Sequence, residues 1–128
     1  MKQRGDDRRR RLRARGFGIR GEWAALAWLL LRGYRVIARN YLTSGGEIDL
    51  IAARRGTIAF VEVKSRPRID QARTAITAEK RRRMSRAASH WIARNGWAVG
   101  YTLRGDAIFI APRCWPTHLE NAFELDLM

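Results

Sequence analysis

Cysteine and proline are almost missing: one cysteine, Cys114, and three prolines occur in 128 residues. A single thiol can form no internal disulfide and no multi-cysteine zinc site, a usage that fits a reducing cytoplasm. Histidine is nearly as rare, with two. His118 has no second His near it in sequence, which points to a surface role rather than ligation. The apolar stretch over about residues 21–32 is too short to span a bilayer. No hydrophobic region follows the N-terminal charges, so they do not read as a secretory signal. The expectation is a cytoplasmic protein with no membrane partner. The chain also lacks a Gly-rich phosphate loop, a Ser-His-Asp arrangement and any internal repeat.

Negative charge is the other shortage. Twelve Asp and Glu face 26 Lys and Arg, for a formal charge of +14 and a pI near 11.6. Such a balance points to a polyanionic partner, most often nucleic acid. Ribosomal and membrane-surface proteins share it, so charge alone names no activity.

What is present fits one globular domain. Hydrophobic residues make up 46% and charged residues 30%, and the length allows a real core. The basic excess is uneven: residues 1–20 and 66–94 each hold nine Lys/Arg against two acidic residues, and the remainder is neutral. Residues 1–15, with Arg8-Arg9-Arg10-Arg11 and almost nothing apolar, read as a disordered basic arm that touches phosphates or merely aids solubility. Residues 16–128 read as a single folded domain.

Trp23, Ala24, Leu26, Ala27, Leu30 and Leu31 recur at helical spacing and predict a helix over about 21–32, stopped by Gly33. Glu22 in its first turn suits the helix dipole, or serves an active site. Residues 34–41 read as a strand, and 46–53 and 57–65 as a hairpin around Arg55-Gly56. Pro67 ends the third strand, and a polar linker carries Arg68 and Asp70. A second helix is predicted over 77–95, closed by Gly96, with Met84, Ala87, Ala88, Trp91 and Ile92 as its buried stripe. Two more strands are expected at 98–103 and 106–111, around Arg104-Gly105. The tail from Pro112, with Trp115, His118 and Phe123, is expected to pack irregularly over the sheet. The order is α-β-β-β-α-β-β, an α/β sandwich in which helices flank a central mixed sheet.

The hairpin carries the chemistry. Side chains alternate along a strand, so Glu47 and Asp49 share one face, Ile48 and Leu50 the other, and Glu62 shares a face with Lys64. A turn at Arg55-Gly56 pairs Arg54 with Thr57 and Leu50 with Val61. The same ladder sets Ile48 opposite Val63, Asp49 opposite Glu62 and Glu47 opposite Lys64. Like charges opposed at roughly 5 Å destabilise a sheet. A divalent cation would turn that repulsion into coordination, because hard oxygen ligands suit Mg²⁺ or Mn²⁺; the other reading is a solvated acidic face. On the second helix, Lys80, Arg81, Arg82, Arg83 and Arg86 lie largely outside the apolar stripe. That run is too one-sided for salt bridges and favours phosphate contact.

Asp49, followed thirteen residues later by Glu62-Val63-Lys64, resembles the Asp…(Asp/Glu)-x-Lys motif of restriction-endonuclease-like nucleases. A wider set of residues is similar to the YraN-like family, small bacterial proteins assigned to that fold. The set begins with Gly21-Glu22, Ala25, Leu29, Gly33-Tyr34 and Arg39-Asn40. It continues through Gly46-Glu47-Ile48-Asp49-Leu50-Ile51-Ala52 and Phe60-Val61-Glu62-Val63-Lys64-Ser65-Arg66, then Ala72, Ile76, Lys80 and Asn121-Ala122-Phe123. The likeness covers about residues 16–124.

The resemblance, joined to the acidic pair, implies a Mg²⁺- or Mn²⁺-dependent endonuclease with a restriction-endonuclease-like core. Asp49, Glu62 and the Val63 carbonyl would hold the metal, with Glu22 as an additional or water-mediated ligand. Lys64 would orient the attacking water or stabilise the developing charge, and Glu47 would hold its ammonium. Arg66, Lys80, Arg81, Arg82, Arg83 and Arg86 would seat the nucleic-acid backbone, DNA ahead of RNA. None of these contacts reads base edges, so shape rather than sequence is recognised. Archaeal Holliday junction resolvases have a similar core and work as dimers, which suggests branched DNA and a homodimer by analogy. The alternative is a non-catalytic nucleic-acid-binding module of the same fold.

Overall fold

A computed structural model describes residues 20–68 and 77–127. The basic arm, and Asp70, Ala72 and Ile76 of the linker region, lie outside the described residues. Helix α1 (residues 20–31) is followed by β1 (Arg35–Thr43), β2 (Gly46–Arg54) and β3 (Thr57–Ser65). Helix α2 (Ala78–Arg94), a 3₁₀ turn (Gly96–Gly100), β4 (Thr102–Ile110) and β5 (Thr117–Phe123) complete the order. The strands form one sheet in the order β1-β2-β3-β4-β5, with β3 and β4 parallel and the other pairs antiparallel. A parallel pair needs a long crossover, and α2 lies on it.

The helices cover opposite faces. Ala25 and Leu29 of α1 pack on Leu50, Ala52, Ala59, Val61 and Ile108. Ala87, Ala88 and Trp91 of α2 pack on Ile48, Ile51, Ala53, Ile58 and Phe60. Burying each large apolar side chain contributes about 1.5–3 kcal/mol. The apolar stripe expected on α1 is rotated: Gly21, Ala25 and Leu29 face inward, while Trp23, Leu30 and Leu31 are exposed. Close approach decides this over bulk, because a Cβ at Gly21 would come within 2.6 Å of Ser65 Cβ. Only the small-residue side of α1 can lie against β3.

The hairpin turns at Arg55-Gly56 with both φ positive, 49° and 77°, the geometry of a two-residue turn whose twist suits the strands. Pairing runs from Arg54–Thr57 to Leu50–Val61 as expected, and the ladder then stops. Asp49–Glu62, Ile48–Val63 and Glu47–Lys64 are therefore not ladder pairs. Beyond Leu50 the Val63 amide donates instead to Asp49 Oδ2, at 2.8 Å. Strict alternation also ends here, since Ile48 joins the α2 layer and Leu50 the α1 layer.

The last two strands lie elsewhere than expected. Residues 96–100 form the 3₁₀ turn, β4 runs unbroken through Arg104-Gly105, and β5 comes from the tail. Gly105 serves packing rather than a turn: a Cβ there would lie 2.7 Å from the Phe123 ring. His118 is not a surface group, with 7% of its side chain exposed and its Nε2 2.8 Å from Asp106 Oδ2. Arg104 Nε and Nη2 donate to the same buried carboxylate at 2.7 and 2.9 Å, and the Asn121 amide donates at 3.0 Å. Against the effect of burial, these bonds from His118 and Arg104 hold the Asp106 carboxyl below its ordinary range. Among the described residues no helix is long and apolar enough to cross a membrane.

Candidate active site

The sheet opens between β2 and β3 where both strands carry carboxylates. Glu62 is 1% exposed. Its Oε1 faces Lys64 Nζ at 3.2 Å and Lys80 Nζ at 3.4 Å. Its Oε2 is buried with no hydrogen-bond partner. Asp49 lies within hydrogen-bonding reach of Glu62. Burial first, and then the charge of Asp49, pushes the Glu62 carboxyl up to about 7. Asp49 is raised as well, by burial, against the bond it accepts from Val63. Two buried carboxylates this close relieve their repulsion by sharing a proton or by taking up a cation.

Each helix delivers one more charged group. Glu22 follows the glycine that lets α1 touch β3, and its carboxyl is raised by burial and by Asp49. A hydrogen bond from Asn40 and the nearby Arg39 guanidinium oppose that rise. Asn40 takes φ +50°, a region asparagine tolerates better than most residues.

On the other face, the α2 N-cap Thr77 accepts from the Lys80 amide at 3.2 Å and fixes the first turn. Lys80 Nζ then reaches Glu47 Oε1 at 2.6 Å, and Arg83 Nη2 stands 3.8 Å from the same oxygen. The bond from Lys80 holds the Glu47 carboxyl below its ordinary value. Glu47 thus grips Lys80, not Lys64 as its strand position had suggested. Gly46 makes this possible, since a Cβ there would lie 2.6 Å from the Arg83 carbonyl and 2.9 Å from the Ala87 amide.

Asp49, Glu62 and Lys64 are therefore brought together, with Lys80 and Glu47 joining them and Glu22 coupled through Asp49. No three His, Cys, Asp or Glu side chains among the described residues converge as a complete metal cage. The arrangement is a buried carboxylate pair, and Mg²⁺ can be held by one or two carboxylates while water and substrate phosphates supply the rest. Arg66, Arg81, Arg82 and Arg86 are exposed, and Arg83 is half-buried. Arg82, Arg83 and Arg86 line a cleft of about 330 Å³ with Gly45 and Glu79. Arg81 does not line it, and Arg66 Nη1 donates to the Ser65 carbonyl at 2.7 Å.

Two features escaped the sequence reading. Lys80 looked like one of a row of exposed cations, yet it precedes Met84 by one helical turn and so extends the buried stripe. That spacing was the available signal. Asn40 as the partner of Glu22 had none, because a strand-to-helix contact leaves no local pattern.

A profile of the family described as Uncharacterised protein family UPF0102 matches residues 21–110. The chain is 54% identical over 126 residues to a UPF0102 protein of Methylorubrum extorquens, covering 98% of each chain. It is 56% identical to one of Methylobacterium nodulans, over 93% of this chain and 91% of that one. A UPF0102 protein of Rhodopseudomonas palustris is 46% identical over 84% of this chain and 82% of its own.

Proposed function

Since the chain belongs to the UPF0102 family, in keeping with its YraN-like motifs, we propose that it is a metal-dependent nuclease hydrolysing phosphodiester bonds in nucleic acid. The observation that carries this reading is the Glu62 Oε2 atom, buried and unpartnered beside Asp49. An unsatisfied buried acceptor is unfavourable by about 1–3 kcal/mol, more when charged. A shared proton satisfies it at low pH, and a hard cation satisfies it once the pair is ionised.

Asp49, Glu62 and the Val63 carbonyl would hold Mg²⁺ or Mn²⁺, with Glu22 acting through water. When bound, the ion supplies Lewis-acid polarisation of a phosphoryl oxygen and a water that loses its proton near neutral pH. Lys64, beside Glu62, orients the attacking water and offsets charge developing on the phosphoryl oxygens. Glu47 keeps Lys80 at the rim of the pair. The arginines of the α2 cleft seat neighbouring phosphates, and Arg66 and Arg81 add to the same field. The fold analogy with resolvases favours DNA over RNA, branched DNA in particular, and a homodimer.

A second reading, a non-catalytic nucleic-acid-binding module, has its own observation. Lys64 and Lys80 both face Glu62 Oε1, a neutralisation that needs no metal. A screen of end-labelled linear, flapped and four-way substrates with Mg²⁺ or Mn²⁺ separates the two. Metal-dependent cleavage of any substrate that disappears in Asp49→Asn supports the nuclease. Tight binding with no cleavage across the screen leaves the module.

A further inference from the structure

We propose that Trp23, with the Arg39 guanidinium stacked on its ring beside Glu22, is a stacking platform for an unpaired nucleobase, so that the site prefers single-stranded or frayed nucleic acid to intact duplex. The proposal deepens the nucleic-acid reading of the same site and rests on it.

Two adjacent residue pairs face each other across α1 and β1. Asn40 lies close enough to the Glu22 carboxylate to hold it down against burial, and the neighbouring residue of each element makes the second contact, with Arg39 Cζ 4.4 Å from the Trp23 ring centroid. The indole is therefore fixed beside one of the candidate acidic groups. The core does not use it. Trp23 is 53% exposed and belongs to none of the buried clusters. Leu30 and Leu31 are also exposed on α1, but they lie about 10–12 Å further along the helix axis.

An oriented indole on a basic protein matches what single-stranded nucleic acid offers: a flat base face next to a phosphate. Stacking on an aromatic side chain is worth about 1–3 kcal/mol per base and tolerates any base. Arg39 both holds the ring plane and offers a cation to the phosphate of the stacked nucleotide. A base inside a duplex has both faces covered and cannot use the platform.

Fluorescence anisotropy in chelator tests this without turnover, using labelled short oligo-dT and oligo-rU, a fully abasic oligodeoxynucleotide and a blunt duplex. Trp23 is exposed on a helix, and alanine is the better helix former, so Trp23→Ala should fold. Trp23→Ala should weaken binding of a single-stranded oligomer about tenfold and change duplex binding less than twofold. Trp23→Phe should recover most of the loss. The abasic strand should bind wild type and Trp23→Ala alike. A loss on either dT or rU supports the proposal and says which polymer is stacked. Equal loss on single strand and duplex, or no loss on either single strand, overturns it. A Trp23-dependent preference in a protein that cuts nothing fails the nuclease reading alone. Cleavage without such a preference fails this proposal alone.

Discussion

Asp49 Oδ2 accepts the Val63 amide at 2.8 Å, just beyond Leu50–Val61, the last pair of the β2–β3 ladder. A side chain thus does the work of a strand carbonyl, satisfying a backbone donor while the strands part around the acidic pair. This fixes Asp49 in orientation before any ligand arrives. It also separates its structural role from its charge.

Metal binding follows from the charge. Asp49→Asn keeps an acceptor for Val63 and removes the carboxylate, whereas Asp49→Ala strands the amide at about 1–3 kcal/mol. Mn²⁺ should raise the melting temperature of wild type and leave Asp49→Asn unmoved. Titration calorimetry should find at least tenfold weaker Mn²⁺ binding in Asp49→Asn. Equal affinity in the two proteins would contradict the assignment.

The acidic pair also predicts a pH dependence. An ordinary glutamate titrates near 4.5, and Glu62 in the folded chain near 7. Between those values the unfolded chain has lost a proton that the native state keeps, so stability falls as pH rises through that window. The shift corresponds to roughly 3–4 kcal/mol as an upper bound, and Asp49 moves in the same direction. Metal-free wild type should melt higher at pH 5 than at pH 8, and Glu62→Gln should lose that part of the slope. Because a metal ion competes with that proton for the same carboxylates, Mn²⁺ affinity should rise over this range. Identical pH slopes in wild type and Glu62→Gln would count against a coupled pair.

How much of this was legible in the sequence depends on which interaction fixed each element. The hairpin was readable because β-branched runs and Arg55-Gly56 are local signals, and its register followed from the turn. It failed at Asp49, where a side chain-to-backbone bond replaces the ladder and no periodicity records it. Arg104-Gly105 read as a turn because glycine is a strong local punctuator of strands. Here Gly105 makes room for Phe123, a contact between distant residues. Thr117–Phe123 is mostly polar because β5 is an edge strand, with three exposed residues, so its pattern resembled a loop. Asp49 and Glu62 stood out because like charges set against each other need a reason, whatever the details of pairing, and Lys64 stood out only through the Asp…Glu-x-Lys resemblance.

Gly46 should be intolerant of a side chain. Gly46→Ala would press a methyl against the Arg83 carbonyl and the Ala87 amide, pushing α2 off β2 and Lys80 away from Glu47. A destabilisation of about 1–3 kcal/mol is expected. Gly96→Ala meets nothing within 4 Å and should change stability far less. Urea unfolding of the two variants checks this, and equal midpoints would contradict the close contact.

The α2 cleft should act through phosphates. Arg82→Ala with Arg86→Ala removes two of its three guanidiniums. Binding should weaken alike for all duplex sequences, and the slope of log K against log salt should fall by about 1.8. Affinities measured over a salt series give the slope directly. An unchanged slope would turn this face away from the substrate.

Lys64 tests the account most directly. It lies beside Glu62 without being a metal ligand, and Lys80 would still face Glu62 in its absence. Lys64→Ala should therefore leave Mn²⁺ and substrate affinity nearly intact. Single-turnover cleavage of the best substrate in the screen should nonetheless slow about 10²–10³-fold, the effect of removing one preorganised donor to the transition state. Lys64→Arg should not restore it, because a planar fork cannot stand in for a compact ammonium at a crowded site. Cleavage at the wild-type rate by Lys64→Ala would contradict the mechanism.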